Sequence, residues 1–210
     1  MESPSVLPVA LLMDGRACLV VGGGEPAAKK VAMLLDVRAS VAVVAPRITE
    51  GLRGALHRAP GLTWRAKPYE PEDLVGMSLV CTTTGISEVD HAVHVDATAR
   101  GLLVNSADDP SNCSFFLTAV VRRDPVIVSI STSGAAPGLA SHLRRRLDNQ
   151  LEDCLGGVAV VLGEVREQLH DRGVSTESLD WGEVIGPTLF ELVATDRIDD
   201  ARQFVRESLR

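Results

Sequence analysis

An α/β protein with a doubly wound parallel sheet is predicted for the N-terminal part of this 210-residue chain by three observations. Apolar, strand-like runs recur at residues 18–21, 41–44, 79–83, 102–105 and 126–131. Helix-like segments separate most of them, at 27–36, 48–58, 71–76 (short) and 88–100. The chain is 45% hydrophobic but only 3% aromatic, an aliphatic bias that suits strands buried on both faces. Alternating strands and helices imply right-handed crossovers, which put every strand C-terminus on one edge of the sheet. Ligands of such sheets bind beyond that edge, so the loops at 22–26, 45–47, 82–87 and 105–112 matter most.

The first of these loops carries the sharpest motif. Ala17-Cys18-Leu19-Val20-Val21 runs into Gly22-Gly23-Gly24, then into Glu25-Pro26-Ala27-Ala28-Lys29-Lys30. Read as G-x-G-x-x-A, Gly22 permits the tight turn, Gly24 lets backbone approach a pyrophosphate, and Ala27 allows close helix–strand packing. A diphosphate would sit on free N–H groups at the helix N-terminus, where the dipole favours anions. Pro26 fits the first turn, where its missing N–H has no intrahelical partner. Val31, Leu34 and Leu35 supply an apolar helical face, and Val41-Ala42-Val43-Val44 a second strand, completing one βαβ unit of a Rossmann-like sheet within about 30 residues. One expected part is missing. Dinucleotide-binding units often carry Asp or Glu about 20 residues after the glycines to hold the adenosine ribose. Here the second strand runs out at Ala45-Pro46-Arg47. Arg47 is either a partner for a ribose 2′-phosphate or a solvated loop residue, so NAD and NADP are not separated by charge at this point. S-adenosylmethionine folds with similar glycine loops remain a competitor.

Composition narrows the class further. A net charge of −7 disfavours general nucleic-acid or membrane-surface binding. No stretch approaches the roughly 20 apolar residues of a membrane span, and residues 1–5 lack the features of a secretory signal. Cys18, Cys81, Cys113 and Cys154 form no Cys-x-x-Cys pair, which argues against a zinc ribbon or a dithiol site and for a reduced, cytoplasmic protein. His91 and His94 lie three apart on one helix, half of a metal set with no third ligand in view; no metal site is expected.

The organisation changes near residue 112. Residues 115–122 and 126–131 read as two strands joined at Arg122-Arg123-Asp124-Pro125, a hairpin signal unlike the preceding rhythm. The small-residue loop Ser131-Thr132-Ser133-Gly134-Ala135-Ala136-Pro137 leads into a helix at 138–148, and helical segments follow near 151–170, 181–192 and 199–209. Three parts are expected: a dinucleotide-binding domain (1–112), a small dimerisation module (113–149) and a helical C-terminal domain (150–210).

Three motifs, taken in order and spacing, carry a resemblance. They are Gly22-Gly23-Gly24 with its helix, Asn105-Ser106-Ala107-Asp108-Asp109-Pro110 as an Asn-x-x-Asp-x-Pro match, and Val128-Ser129-Ile130-Ser131-Thr132-Ser133-Gly134-Ala135-Ala136-Pro137-Gly138-Leu139-Ala140 before the basic run Arg144-Arg145-Arg146. Together they resemble the precorrin-2 dehydrogenase / sirohydrochlorin ferrochelatase family, the N-terminal module of siroheme synthase, in a stand-alone form. The likeness spans residues 6 to 205 or so.

The resemblance implies NAD-dependent oxidation of precorrin-2 to sirohydrochlorin, in a homodimer. Some members also insert ferrous iron into that product and others do not. It implies that Asp108 is the catalytic residue, a carboxylate able to accept the proton lost when the macrocycle gives up a hydride; Asp109 is a rival, and an Asx turn before Pro110 is the plain alternative. Cofactor contacts are expected from Gly22, Gly23, Gly24, Glu25, Pro26, Ala45, Pro46 and Arg47, and from Thr83 and Thr84 near the nicotinamide. Asn105, Ser131, Thr132 and Arg144 are the expected substrate contacts; the substrate's eight carboxylates suit arginine, and Arg122 and Arg123 are similar candidates. In some members a serine at the position of Thr132 is phosphorylated, but Ser133 and Ala136 depart from the usual pattern. The turn Asp36-Val37-Arg38-Ala39 lacks the family's glycine, so a different turn geometry is expected there. The competing readings are a non-catalytic dinucleotide or tetrapyrrole sensor and a methyltransferase.

Overall fold

The computed structural model describes residues 4–107, 109–177 and 179–209, and the chain divides into two compact units between Leu117 and Thr118. The first unit runs β1 (Ala17–Val21), α1 (Glu25–Asp36), β2 (Ser40–Val44), α2 (Glu50–Arg58), β3 (Leu62–Arg65), β4 (Leu79–Thr82), α3 (Ser87–Ala99) and β5 (Leu103–Ser106). The sheet order is β3-β2-β1-β4-β5, and every pairing is parallel. Alternation along each strand splits the core in two. Cys18, Val20, Val41, Val43, Leu79 and Cys81 join one apolar cluster with α1 and α2, while Leu19, Val21, Val44, Val80 and Val104 join another with α3. The thiols of Cys18 and Cys81 serve as small core groups; burial raises their pKa values to about 11 and about 12.

Strand β3 was not read from the sequence. Leu-Thr-Trp-Arg is short, and it alternates buried and exposed residues as an edge strand does. The strand at 79–83 ends at Thr82, and the Thr83 N–H closes the last rung of its ladder with β1, on the Val21 carbonyl at 2.8 Å. The turn after α1 also corrects the expectation. Arg38 adopts φ 57°, the left-handed conformation that glycine favours. Ala39 N–H bonds the Leu34 carbonyl at 3.0 Å and Arg38 N–H the Leu35 carbonyl at 2.8 Å, so the usual Schellman geometry forms with arginine in glycine's place.

The second unit begins with an antiparallel hairpin, β6 (Ala119–Arg123) and β7 (Val126–Ile130), forming its own two-stranded sheet apart from the parallel one. Its first strand starts at Ala119; Phe115 instead packs against the core of the first unit. Helices α4 (Pro137–Asp148), α5 (Leu155–Asp171), α6 (Trp181–Val184), α7 (Pro187–Ala194) and α8 (Ile198–Ser208) follow. The single helix expected over 181–192 is two, because Gly186 is extended and Pro187 starts a new first turn. Val158, Val161, Val165, Val184, Leu189, Ala201 and Val205 form this unit's core. Among the described residues no helix is long and apolar enough to cross a membrane.

Candidate functional site

Parallel register gathers the predicted loops of the first unit. Val21 lies level with Val44 and Thr82, and Thr82 with Ser106, so the chain leaves these four strands side by side on one edge. Backbone bonds knit the exits together: Gly22 N–H to the Val44 carbonyl (2.9 Å), Thr49 N–H to the Gly23 carbonyl (2.9 Å) and Ala107 N–H to the Thr82 carbonyl (2.9 Å).

The three glycines have different reasons. Gly22 takes φ 121°, and a Cβ there would meet Thr83 Oγ1 at 2.6 Å and the Thr83 carbonyl oxygen at 2.9 Å. A Cβ on Gly23 would lie 1.9 Å from the Arg47 carbonyl oxygen. Both are demanded by the chain's own packing. Gly24 is not: its φ is −84°, and a Cβ would meet nothing nearer than Pro26 Cδ at 3.5 Å. Gly24 is exposed, stands at the N-cap of α1 and offers no side-chain cap, so the helix's first N–H groups are left for another acceptor. That is the arrangement a dinucleotide's diphosphate fits. Glu25 and Pro26, both exposed, form the first turn, and Ala27 is fully buried against the sheet.

Ala45 is buried at the end of β2, while Pro46 and Arg47 are exposed. Trp64 Nε1 donates to the Ala45 carbonyl at 2.9 Å and pins this loop. Thr83 is buried against the glycine loop, its hydroxyl donating to the Val21 carbonyl at 3.3 Å. The residue missed in the sequence is Asp90. This carboxylate in the first turn of α3 is 7% exposed and accepts from the Thr82 hydroxyl, the Thr84 hydroxyl (2.8 Å) and the Thr84 N–H (3.2 Å). It holds the loop that carries Thr83 and Thr84. A threonine run followed by an acidic residue in a helix's first turn is the signal for it.

Asp108 lies outside the described residues. Its neighbour Asp109 is engaged locally, accepting from the Ser111 hydroxyl (2.5 Å), the Ser111 N–H (3.1 Å) and Asn112 Nδ2 (2.7 Å). The Ser111 bond first, with those of Asn112, holds the Asp109 carboxyl below its ordinary pKa. Asn105 is buried, with its amide committed to Lys30 Nζ (3.1 Å), the Phe115 carbonyl (3.1 Å) and Cys113 Sγ (3.5 Å). It positions the segment after β5. Ser106, 4% exposed, keeps a hydroxyl without a partner among the described residues.

Ser131, Thr132 and Arg144 belong to the second unit. Ser131 Oγ accepts from the Ser133 N–H (3.1 Å), and Thr132 Oγ1 from the N–H of Ala136, the N-cap of α4 (3.2 Å). Ser133 and Gly134 take φ 54° and 80°, so a serine is held in a left-handed turn closed by Ala135 N–H to the Thr132 carbonyl at 2.9 Å. Arg144 faces Asp148 at 3.7 Å and is partly exposed, whereas Arg123 is tied to Asp148 at 3.0 Å and to the Asp148 carbonyl at 2.9 Å. His91 and His94 stack with centroids 6.3 Å apart, and His91 Nδ1 lies 3.1 Å from Asn112 Oδ1. Among the described residues no group of three or more His, Cys, Asp or Glu side chains is assembled to hold a metal.

Comparison with known proteins agrees with this architecture. Residues 9–119 match the family described as putative NAD(P)-binding. The siroheme synthase of Nitrosomonas europaea is 34% identical over 205 residues, and that of Photorhabdus laumondii subsp. laumondii 35%; each alignment covers 97% of this chain and 43% of the relative. The chain thus spans less than half the length of these curated relatives. Among solved structures, SirC, a precorrin-2 dehydrogenase, superposes with a TM-score of 0.69 at 23% identity, covering 97% of this chain and 98% of its own, and shares the fold. With its sheet and glycine loop inside the matched region, the chain belongs to the putative NAD(P)-binding family, and its resemblance to the siroheme synthases extends along 97% of its length.

Proposed function

We propose that the chain is a dehydrogenase that oxidises precorrin-2 to sirohydrochlorin with NAD as electron acceptor. The observation that carries this reading is Gly24: nothing in the chain's own packing requires a glycine at this exposed N-cap, whereas an approaching diphosphate does. The 97% coverage by siroheme synthase relatives supplies the substrate class.

When bound, the dinucleotide supplies a hydride acceptor. The chain's own groups hold it. Backbone at Gly22, Gly23, Gly24 and Glu25, with Pro26 shaping the turn, receives the diphosphate; Ala45, Pro46 and Arg47 border the adenosine ribose; Thr83 and Thr84, kept in place by Asp90, border the nicotinamide. Oxidation removes one hydride and one proton from the macrocycle, and the Asp108 carboxylate accepts the proton. Asn105 holds the segment that carries Asp108. Ser131, Thr132 and Arg144 contact the polyanionic substrate, Arg144 through carboxylates.

The same reading takes the chain as a cytoplasmic homodimer, with residues 113–149 building the dimer between a dinucleotide-binding part (1–112) and a helical part (150–210). Insertion of ferrous iron, with the macrocycle's nitrogens as its final ligands, is a separate step that this reading does not require. The test is anaerobic incubation of the full chain with precorrin-2 and NAD, following sirohydrochlorin absorbance. Turnover that falls about 10²–10⁴-fold in Asp108→Ala, with NAD binding retained, is expected. NAD binding without turnover makes the protein a sensor; stabilisation by S-adenosylmethionine instead of NAD makes it a methyltransferase. Adding ferrous iron to pre-made sirohydrochlorin tests chelation separately.

A further inference from the structure

Asn105 owes the orientation of its amide to Lys30. The Asn105 side chain is 6% exposed, and each end of the amide faces a group whose hydrogen-bonding role is fixed. Oδ1 accepts from Lys30 Nζ at 3.1 Å, and Nδ2 donates to the Phe115 carbonyl at 3.1 Å. An ammonium only donates and a carbonyl only accepts, so the reversed amide would set donor against donor and acceptor against acceptor. Lys30 is half-buried in the second turn of α1, and its hydrogen-bond partner among the described residues is this amide. The bond is charge-assisted, the stronger class of hydrogen bond.

The amide stands at the root of a closed loop. Val104 N–H donates to Ser114 Oγ and Ser114 N–H to the Val104 carbonyl, both at 2.8 Å, while the Ser106 N–H reaches Cys113 Sγ at 3.2 Å. Asn105 Nδ2 adds its bonds to Phe115 and Cys113, so both ends of the segment that contains Asp108 are tied together at the amide. Loss of Lys30 leaves the buried Oδ1 without its donor and frees the amide to turn. The free N–H groups that suit a diphosphate belong to the first turn of α1, one turn before Lys30. Resting on the dehydrogenase reading above, we propose that Lys30 is a positioning residue for the oxidation: acting through the Asn105 amide, it sets the placement of the Asp108 segment, and so kcat, and takes no part in holding the coenzyme.

The experiment measures kcat and KM of the full chain with precorrin-2 and NAD, anaerobically, beside the calorimetric Kd of NAD, for wild type, Lys30→Met, Lys30→Arg, Asn105→Ala and the double variant Lys30→Met/Asn105→Ala. Lys30→Met keeps the length of the side chain and removes its donor; kcat falls roughly 10–100-fold while the Kd of NAD stays within about twofold of wild type. Lys30→Arg, which still donates, retains most of the wild-type kcat. The double variant is no slower than the slower single one, because both changes disable the same amide. Lys30→Gln, a neutral donor on a shorter stem, falls between Lys30→Met and Lys30→Arg and carries the comparison if melting curves show Lys30→Met unfolded. A wild-type kcat in Lys30→Met, a loss that follows a weakened NAD Kd, or losses that multiply in the double variant each overturn the inference while wild-type turnover leaves the dehydrogenase reading standing. A wild type that binds NAD and turns nothing over overturns the dehydrogenase reading itself, and this role of Lys30 with it.

Discussion

Replacing Gly24 with alanine separates ligand binding from folding. The new Cβ would meet only Pro26 Cδ at 3.5 Å, an ordinary contact, and φ of −84° suits any L-residue. The cost without ligand is therefore the difference between glycine and alanine at an N-cap, roughly 0.5–1 kcal/mol. NAD at about 100 times its Kd stabilises wild type by about 2.7 kcal/mol. At about 2–4 °C per kcal/mol for a chain of this size, that is a melting shift of about 5–11 °C. Gly24→Ala is expected to lose most of this shift, because its methyl occupies the path of the diphosphate. Gly23→Ala is the opposite case. Its Cβ would lie 1.9 Å from the Arg47 carbonyl oxygen, with backbone on both sides, so the two loops must part and the 2.9 Å Thr49–Gly23 bond must stretch. Overpacking of this kind costs about 1–3 kcal/mol in the absence of any ligand. Thermal melts of wild type and both variants, with and without NAD, are the assay. A full NAD shift in Gly24→Ala refutes the diphosphate argument, and a Gly23→Ala protein as stable as wild type refutes the packing argument.

Arg38→Gly is expected to stabilise the protein by about 0.5–1 kcal/mol in urea unfolding. It relieves a left-handed arginine at φ 57° and gives up only an exposed ion pair with Asp14 at 2.8 Å; a loss of stability would contradict it. Asp73 is buried, which raises its pKa, but Lys67 (2.9 Å), Arg65 (2.8 Å) and the Glu70 N–H (3.0 Å) override burial and hold it below the ordinary 3.8. Its contribution is complete above the unfolded value and disappears as pH falls through the lower folded value, so wild type should lose more stability than Asp73→Asn as pH falls below about 5. Equal slopes in acid unfolding would remove the carboxylate from the account. Asp90→Ala strands the Thr82 hydroxyl and the Thr84 N–H, and should cost about 1–3 kcal/mol in chemical unfolding, with Asp90→Asn closer to wild type because it keeps an acceptor; indifference to both changes would show that the loop is held by other means.

Much of the first unit was legible because its central strands are buried on both faces, and such strands must be continuous aliphatic runs. Cys18–Val21, Val41–Val44 and Leu79–Thr82 announce themselves in this way. Leu62–Arg65 does not, because an edge strand alternates and becomes a strand only by pairing with β2. The break at Gly186-Pro187 is written in local chemistry, an extended glycine before a proline that opens a helix's first turn. The turn at Arg38 could not be read locally. Arginine disfavours that conformation, and the packing of Leu34 and Ala39 into the core imposes it.

The sequence by itself determined where backbone must be bare, which runs must be buried and which family the motifs resemble, since these follow from properties of neighbouring residues. Tertiary structure alone decided which glycine is free for a ligand and which carboxylate is spent. Gly23 against the Arg47 carbonyl and Lys30 bonded to Asn105 across 75 residues depend on chain crossings that bring distant groups within bonding distance, and those meetings have no signature in local sequence.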